Sequence, residues 1–253
     1  MRNRIIAVVL LLCAASAIAS AQRGGGRGPA FQDPGLVHAK YDGRWAFVRL
    51  RYAAGFSGRQ GPQWSHDYPY GEQHFVQILK FVTNFDARDD ATQIMSLDDP
   101  ELFKYPIAYM AEPGYWTATD KEAENFRAYL QKGGFVIFDD FHTQDWPYFE
   151  ATMKKVLPDA KIVDLDVSNP LFHSFFEVES FDQVPQAYNE GGRPIFRGIY
   201  EDNDPKKRLL AIINYQVDIS EFWEFSPQGF YPISESNQAY QIGVNWIIYG
   251  LTH

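Results

Sequence analysis

The stretch Gly133-Gly134-Phe135-Val136-Ile137-Phe138-Asp139-Asp140-Phe141-His142 places four consecutive apolar residues between a glycine pair and two carboxylates. An uninterrupted apolar run of this length is typical of a strand that is covered on both faces, as in a parallel sheet. In open α/β sheets, ligands bind beyond the carboxyl ends of such strands. The stretch therefore predicts a parallel-sheet fold and a candidate site at Asp139, Asp140 and His142.

The segments on either side alternate between strand-like and helix-like patterns. Apolar runs or alternation predict further strands at 45–52, 92–97, 105–110 and 161–165. A helix is predicted after residue 72, where apolar side chains recur at the spacing of one buried stripe: Phe75, Ile78, Leu79 and Val82. Amphipathic patterns predict two more helices, at 146–157 and at the end of the chain.

Another predicted helix begins at Thr119, because Glu122 stands three residues later and completes a capping box. From residue 169 to residue 232 the pattern becomes β-rich, and 195–200 with 208–215 predicts a hairpin around a polar loop. The alternation of strands and helices predicts a three-layer α/β/α sandwich with a mostly parallel sheet. We interpret 41–253 as a single α/β domain with a β-rich insertion at 169–232.

The first 21 residues have the pattern of a secretory signal peptide. Arg2 and Arg4 precede a short apolar run, and the small residues Ala19-Ser20-Ala21 follow it. We expect cleavage after residue 21 and an exported, periplasmic or secreted protein. The Gly-rich segment 22–40 is then predicted to be a flexible linker. The alternative is a membrane anchor, which needs about 20 apolar residues, more than this run contains.

Cys13 is the only cysteine and lies inside the predicted signal peptide. Lipid modification at Cys13 is disfavoured by the bulky Leu12 before it. The mature chain is therefore expected to have no disulfide and no cysteine-ligated metal. Once the signal peptide has been cleaved, we also expect no stable membrane insertion. A formal net charge of −9 argues against nucleic acid as a partner, since phosphates require a basic surface.

Polar residues that suit chemistry occur in four places beside predicted strand ends or helix starts. They are Asp67 with Glu72 and His74, Asp139 with Asp140 and His142, His173 alone, and Asp218 with Glu224. Carboxylates and imidazoles that converge at one sheet edge bind divalent metals or act as general acid and base. Each also has a structural interpretation, because acids cap turns and helices and a histidine between apolar residues is usually a core residue.

In a right-handed parallel fold, the loop after the first predicted strand (45–52) and the loop after the strand that ends at Asp139 lie at the same edge of the sheet. We expect Asp67 or Glu72 to share one concave pocket with Asp139 or Asp140. His142 or His173 is expected on the wall of that pocket. Should a divalent metal bind, its predicted ligands are Asp139, Asp140 and His142.

The chain contains no motif that names a reaction. It has no G-x-S-x-G elbow, no H-E-x-x-H helix and no P-loop. The leading hypothesis is an exported domain that binds a small polar ligand or a cell-envelope partner without covalent catalysis. The alternatives are a metal-assisted hydrolase, for which the 16% aromatic content would suit saccharides, and a purely structural interaction domain.

Six segments resemble a bacterial family known as domain of unknown function 4159. They are Phe47-Val48-Arg49-Leu50-Arg51-Tyr52, Asp67-Tyr68-Pro69 with Glu72 and Phe75, Leu102-Phe103-Lys104-Tyr105-Pro106, Gly133-Gly134-Phe135 through Asp139-Asp140, Pro170-Leu171-Phe172-His173, and Gly243-Val244-Asn245. The family looks like a relative of the class I glutamine amidotransferase fold, a flavodoxin-like sandwich, and the resemblance implies that architecture here.

Two departures limit what the resemblance implies about activity. Amidotransferases use a nucleophilic cysteine, and this chain has none after Cys13, so the resemblance does not extend to glutaminase activity. In the family the run ending in His173 usually reads His-Pro-Leu-Phe-His. Asn169 stands in the place of the first histidine, which argues against a two-histidine site.

Overall fold

The computed structural model describes residues 31–53, 57–58, 61–185 and 192–253. The predicted signal peptide at 1–21 and the first part of the predicted linker at 22–40 lie outside these residues. The end of that linker contacts the domain. Val37 forms an antiparallel bridge with Ile94, and the Ala39 N–H donates to the Gln93 side chain at 2.8 Å.

Seven strands of the described chain form one mostly parallel sheet. They are β1 (Trp45–Arg51), β2 (Ala87–Ser96), β3 (Ile107–Ala111), β4 (Phe135–Asp139), β5 (Ile162–Asp164), β6 (Ile195–Tyr200) and β7 (Leu209–Tyr215). Their order across the sheet is β2-β1-β3-β4-β7-β6-β5. The first five strands in this order run parallel, and β6 and β5 are antiparallel to their neighbours. The predicted α/β class and mostly parallel sheet are confirmed.

Five α-helices in the same residues pack in two groups. They are α1 (Tyr70–Thr83), α2 (Asp120–Gln131), α3 (Trp146–Val156), α4 (Ile219–Glu224) and α5 (Ile233–Thr252). Helices α1, α4 and α5 contact one another, and α2 contacts α3.

The central strand β4 shows that the two groups cover opposite faces of the sheet. Ile137 belongs to the same buried cluster as Trp246 of α5. The next residue, Phe138, contacts the rings of Phe126 in α2 and Phe149 in α3. Since successive side chains of a strand point to opposite faces, the sheet lies between two helical layers, as expected for a three-layer sandwich. Every residue of β4 is buried, as the apolar run predicted.

The predicted hairpin is present as β6 and β7. Strand β7 also pairs in parallel with β4, so the hairpin extends the main sheet. The region 169–232, predicted as a β-rich insertion, further contains helix α4 and short 3-10 turns. Among the described residues, no helix is both long enough and apolar enough to cross a membrane.

The capping box of α2 offers a test of local stability. The Thr119 hydroxyl accepts from the Glu122 N–H at 3.2 Å, and the Glu122 carboxylate accepts from the Thr119 N–H at 2.8 Å. We expect Thr119→Ala to lower the free energy of unfolding by about 1 kcal/mol, because the Glu122 N–H loses the hydroxyl that accepts from it. Urea denaturation measures the change. The exposed Glu124→Ala in the same helix serves as control and should change the free energy by less than about 0.5 kcal/mol.

Candidate functional site

Polar residues follow four parallel strands at the same edge of the sheet. His66 and Asp67 lie in the segment between β1 and α1, Glu112 directly follows β3, and Asp140 directly follows β4. Asp218 lies between β7 and α4. Because β1, β3, β4 and β7 are neighbours, their carboxyl ends lie side by side and bring these residues together.

Four of these residues, His66, Asp67, Asp140 and Asp218, form what we call the central cluster. Each offers one ligand atom, and the four atoms all lie within 4.8 Å of one another. His66 Nδ1 is 2.5 Å from Asp140 Oδ2 and 4.0 Å from Asp218 Oδ2. The three aspartates are buried, whereas the His66 side chain is 30% exposed. The cluster is therefore open to solvent on the His66 side.

Among the described residues, two carboxylate oxygens of the central cluster have no hydrogen-bond partner. Asp140 Oδ1 and Asp218 Oδ2 are buried and accept no hydrogen bond. An ionised oxygen that has left water costs free energy unless a donor or a cation compensates it. Divalent cations bound at this edge of the sheet would compensate these oxygens.

A hydroxyl holds two of the aspartates in place. Ser220 Oγ, in the first turn of α4, lies 2.5 Å from Asp67 Oδ2 and 3.2 Å from Asp218 Oδ1. The Tyr109 hydroxyl lies 2.7 Å from Ser220 Oγ. The positions of Asp67 and Asp218 are thus tied to strand β3 and helix α4.

Three acids at this edge have left-handed backbone conformations. The φ angles are 60° at Asp67, 42° at Glu112 and 67° at Asp140. A residue other than glycine in this region costs on the order of 1 kcal/mol or more, and such residues concentrate at functional sites. At Glu112 the Tyr52 hydroxyl compensates, because it lies 2.9 Å from the Ala111 carbonyl oxygen and 2.6 Å from that of Glu112.

Burial and mutual charge change the proton affinities of the cluster. Burial raises the pKa of Asp140 and of Asp218, and in Asp218 the charges of Asp140 and Asp67 add to the rise. Burial lowers the pKa of His66, but its hydrogen bond to Asp140 and the surrounding carboxylate charges outweigh burial and raise that pKa to about 11. A cation that binds at this site would therefore displace the proton of His66.

Asp139 differs from its neighbour Asp140. Its carboxylate accepts from Asn214 Nδ2 at 2.8 Å, from the Tyr109 hydroxyl at 2.9 Å, and from the N–H groups of Ile219 and Ser220 at 3.1 and 3.0 Å. These donors satisfy both oxygens and attach the beginning of α4 to β4. Burial raises the pKa of Asp139 to about 7. Asp139 therefore holds the start of α4 in place and is not one of the four residues of the central cluster.

Glu72 is also held by a partner of its own. Its two oxygens accept from Arg49 Nε at 3.0 Å and from Arg49 Nη2 at 2.7 Å, and both side chains are buried. Arg49 Nη1 donates to the carbonyl oxygens of Trp64 and His66 at 3.1 and 2.9 Å. This buried ion pair therefore positions the backbone that carries His66 and Asp67.

The other predicted histidines have partners outside the central cluster. His173 contacts the Glu177 carboxylate at 2.6 Å and the Val167 carbonyl at 2.8 Å. His74 Nδ1 lies 3.0 Å from a carbonyl oxygen of α4. His142 begins a 3-10 turn and donates its N–H to Asp145 at 2.8 Å, and its charge acts on Asp140 from beside the cluster.

Of the predicted site acids, the structure thus brings Asp67 and Asp140 together, with Asp218 from the fourth predicted group. His66 and Glu112 were missed. Glu112 Oε1 is 3.5 Å from His66 Nδ1, and burial together with the charge of Asp140 raises the pKa of Glu112 to about 8. The sequence contains a pattern that could have identified Glu112, because it lies two residues after the predicted strand 105–110, as Asp140 lies two residues after the apolar run that ends at Phe138.

Glu224, the last residue of α4, interacts with Asp67 of the central cluster. Burial, and then contact with Asp67, raises the pKa of Glu224 to about 8. A cleft of about 410 Å³ elsewhere in the domain is lined by Trp146, Lys161 and Arg197 among others, and none of its lining residues belongs to the cluster. The chemistry-bearing residues therefore do not coincide with this cleft.

Fold and site define an α/β domain with a buried cluster of acids and one imidazole at the carboxyl edge of its sheet. The chain belongs to the family described as domain of unknown function (DUF4159), whose sequence profile matches residues 46–251. The predicted family membership is confirmed. No curated protein matches the chain.

Proposed function

We propose that this domain binds a divalent cation in the central cluster and, through the cation, a small polar ligand. The observation that carries the proposal is the convergence of four ligand atoms within 4.8 Å, with two buried carboxylate oxygens that accept no hydrogen bond. Three carboxylates and one imidazole suit Mn²⁺, which accepts oxygen ligands and also tolerates nitrogen. No thiolate is available there to select a softer metal.

The proposed ion has coordination positions left for a ligand. Four protein atoms do not complete an octahedral shell, and the partly exposed His66 marks the side from which water or a ligand oxygen would enter. Non-covalent binding of a polar ligand needs nothing further. Metal-assisted hydrolysis is the second candidate, because Glu112 lies beside the open side with a raised pKa suited to a general base.

We also propose an exported location and a flavodoxin-like, class I glutamine amidotransferase-like variant of the fold. The pattern at 1–21 supports export, and in that location the polar ligand or a cell-envelope protein would be the partner. The order β2-β1-β3-β4-β7 supports the fold assignment, because it matches the flavodoxin order 2-1-3-4-5 with β7 in the fifth place.

Replacing one cluster ligand tests the proposed function. Asp218→Asn should weaken Mn²⁺ binding by at least about 100-fold, because the ion loses a charged ligand. Folding should be retained, since Asp218 Oδ1 accepts from the Glu221 N–H at the start of α4 and asparagine caps helices equally well. Isothermal titration calorimetry with Mn²⁺ measures the affinity.

The exposed Asp159→Asn serves as the matched control and should bind Mn²⁺ as the unchanged protein does. Two outcomes would contradict the proposal. The first is that the protein without substitutions binds none of Mn²⁺, Mg²⁺ and Zn²⁺. The other is an Asp218→Asn variant whose affinity equals that of the control.

A further inference from the structure

We propose that the centre is dinuclear: a second divalent cation binds between Asp140 and Glu112, with Asp140 bridging the two ions. This inference rests on the proposed function, because the second ion requires the first. It assigns a ligand role to Glu112, which lies outside the four-residue central cluster.

The first argument is the register of two neighbouring strands. Ala111 of β3 pairs with Asp139 of β4, so the next residues, Glu112 and Asp140, lie beside each other where the strands end. The Glu112 N–H donates to the Asp139 carbonyl at 3.1 Å, which continues the pairing by one residue. Both residues then adopt left-handed conformations, with φ of 42° and 67°. The sheet thus builds a pair of adjacent acids.

The second argument is the arrangement of the two oxygens of Asp140. Asp140 Oδ2 is 2.5 Å from His66 Nδ1, whereas Asp140 Oδ1 is buried without a partner. Asp140 itself is 0% exposed. A bridging carboxylate uses each oxygen for a different ion, and ions in two-metal sites lie about 3.5–4 Å apart. Oδ2 would thus serve the ion shared with His66, and Oδ1 the ion shared with Glu112.

The third argument is charge. Among the residues that the structure describes, the ion pairs of Glu112, Asp140 and Asp218 are all with His66. Asp67 contacts the Ser220 hydroxyl and the Glu224 carboxyl, and neither contact supplies a positive charge. A bound metal ion requires ionised carboxylates and a neutral imidazole, so one divalent cation would leave two negative charges on these four carboxylates, and buried excess charge is costly. Two divalent cations balance the four carboxylates.

Metal content and magnetic coupling test the inference on the Mn²⁺-loaded protein. After removal of free metal, elemental analysis should find about two manganese ions per chain. Electron paramagnetic resonance should show the spin-coupled signal of two nearby ions. Glu112→Gln should reduce the content to about one ion and leave the signal of an isolated Mn²⁺, while the exposed control Glu124→Gln should keep both ions.

The outcomes separate failure of this inference from failure of the proposed function. One uncoupled ion in the unchanged protein would overturn the dinuclear centre while leaving the proposed function intact. A coupled pair that persists in Glu112→Gln would also overturn it, because Glu112 would then not be a ligand. An absence of bound metal would refute both proposals. If Glu112→Gln fails to fold by circular dichroism, the content and signal of the unchanged protein decide.

Discussion

Arg49→Met should lower the free energy of unfolding by about 3–5 kcal/mol, the largest loss we expect from one substitution in this domain. The substitution leaves the Glu72 carboxylate buried without its partner. It also removes the donor that the Trp64 and His66 carbonyl oxygens share. Burial already raises the pKa of Glu72 even with Arg49 present, which shows how strongly the site opposes an unpaired charge. Urea denaturation monitored by tryptophan fluorescence measures the loss.

Two further variants separate buried charge from other effects of this substitution. The double variant Arg49→Met with Glu72→Leu should recover a large part of the loss, because no unpaired charge then remains in the core. Arg44→Met is the matched control: Arg44 pairs with Asp42 on the surface, so this substitution should lower the free energy of unfolding far less than Arg49→Met does. Equal losses for Arg49→Met and Arg44→Met would contradict the structural role of the buried pair.

The order of the elements could be predicted from sequence because it depends on local patterns. The apolar run of β4 and the capping box of α2 involve residues that are close in the chain, and both are present. The place of β7 could not be predicted. Its parallel pairing with β4 joins residues about 75 positions apart, which no local pattern encodes. The hairpin was therefore predicted, but its position within the main sheet was not.

The candidate site could be predicted only in part, for a similar reason. Sequence placed Asp139 and Asp140 at a strand end, but it could not distinguish an acid enclosed by four donors from one with an unpartnered oxygen. That difference arises because Asp140 leaves the strand with a left-handed φ. His66 lies in a segment whose path depends on the carbonyl contact with Arg49, a residue 17 positions earlier.

Stability in the absence of metal should fall as the pH rises from about 5.5 to about 8. Burial raises the pKa of Asp139 to about 7 and that of Glu112 to about 8, above their usual values of 3.8 and 4.5. In this range the folded protein therefore binds protons that the unfolded chain has already released. Stability decreases with pH wherever the folded state binds more protons.

The raised pKa of His66 acts in the same direction, because the folded protein keeps a proton that the unfolded chain loses above its usual pKa of 6.5. Surface acids with a lowered pKa, such as Asp42, stabilise the folded protein throughout this pH range. They lose this stabilising effect only as the pH falls below about 4. We expect a combined fall of about 3–5 kcal/mol between pH 5.5 and 8. Glu112→Gln should remove part of this fall, because that position no longer titrates.

Added cation should reverse this pH dependence. Metal ligands must be deprotonated, so Mn²⁺ binds more tightly as the pH rises and contributes most stability at the pH where the empty site is weakest. Urea denaturation at about pH 5.5 and about pH 8, each in EDTA and in excess Mn²⁺, measures the free energy of unfolding under the four conditions. If the free energy of unfolding in EDTA rises towards pH 8, then Asp139, Glu112 and His66 do not keep their protons in the folded protein. If Mn²⁺ stabilises the protein equally at both pH values, binding does not displace protons from these carboxylates.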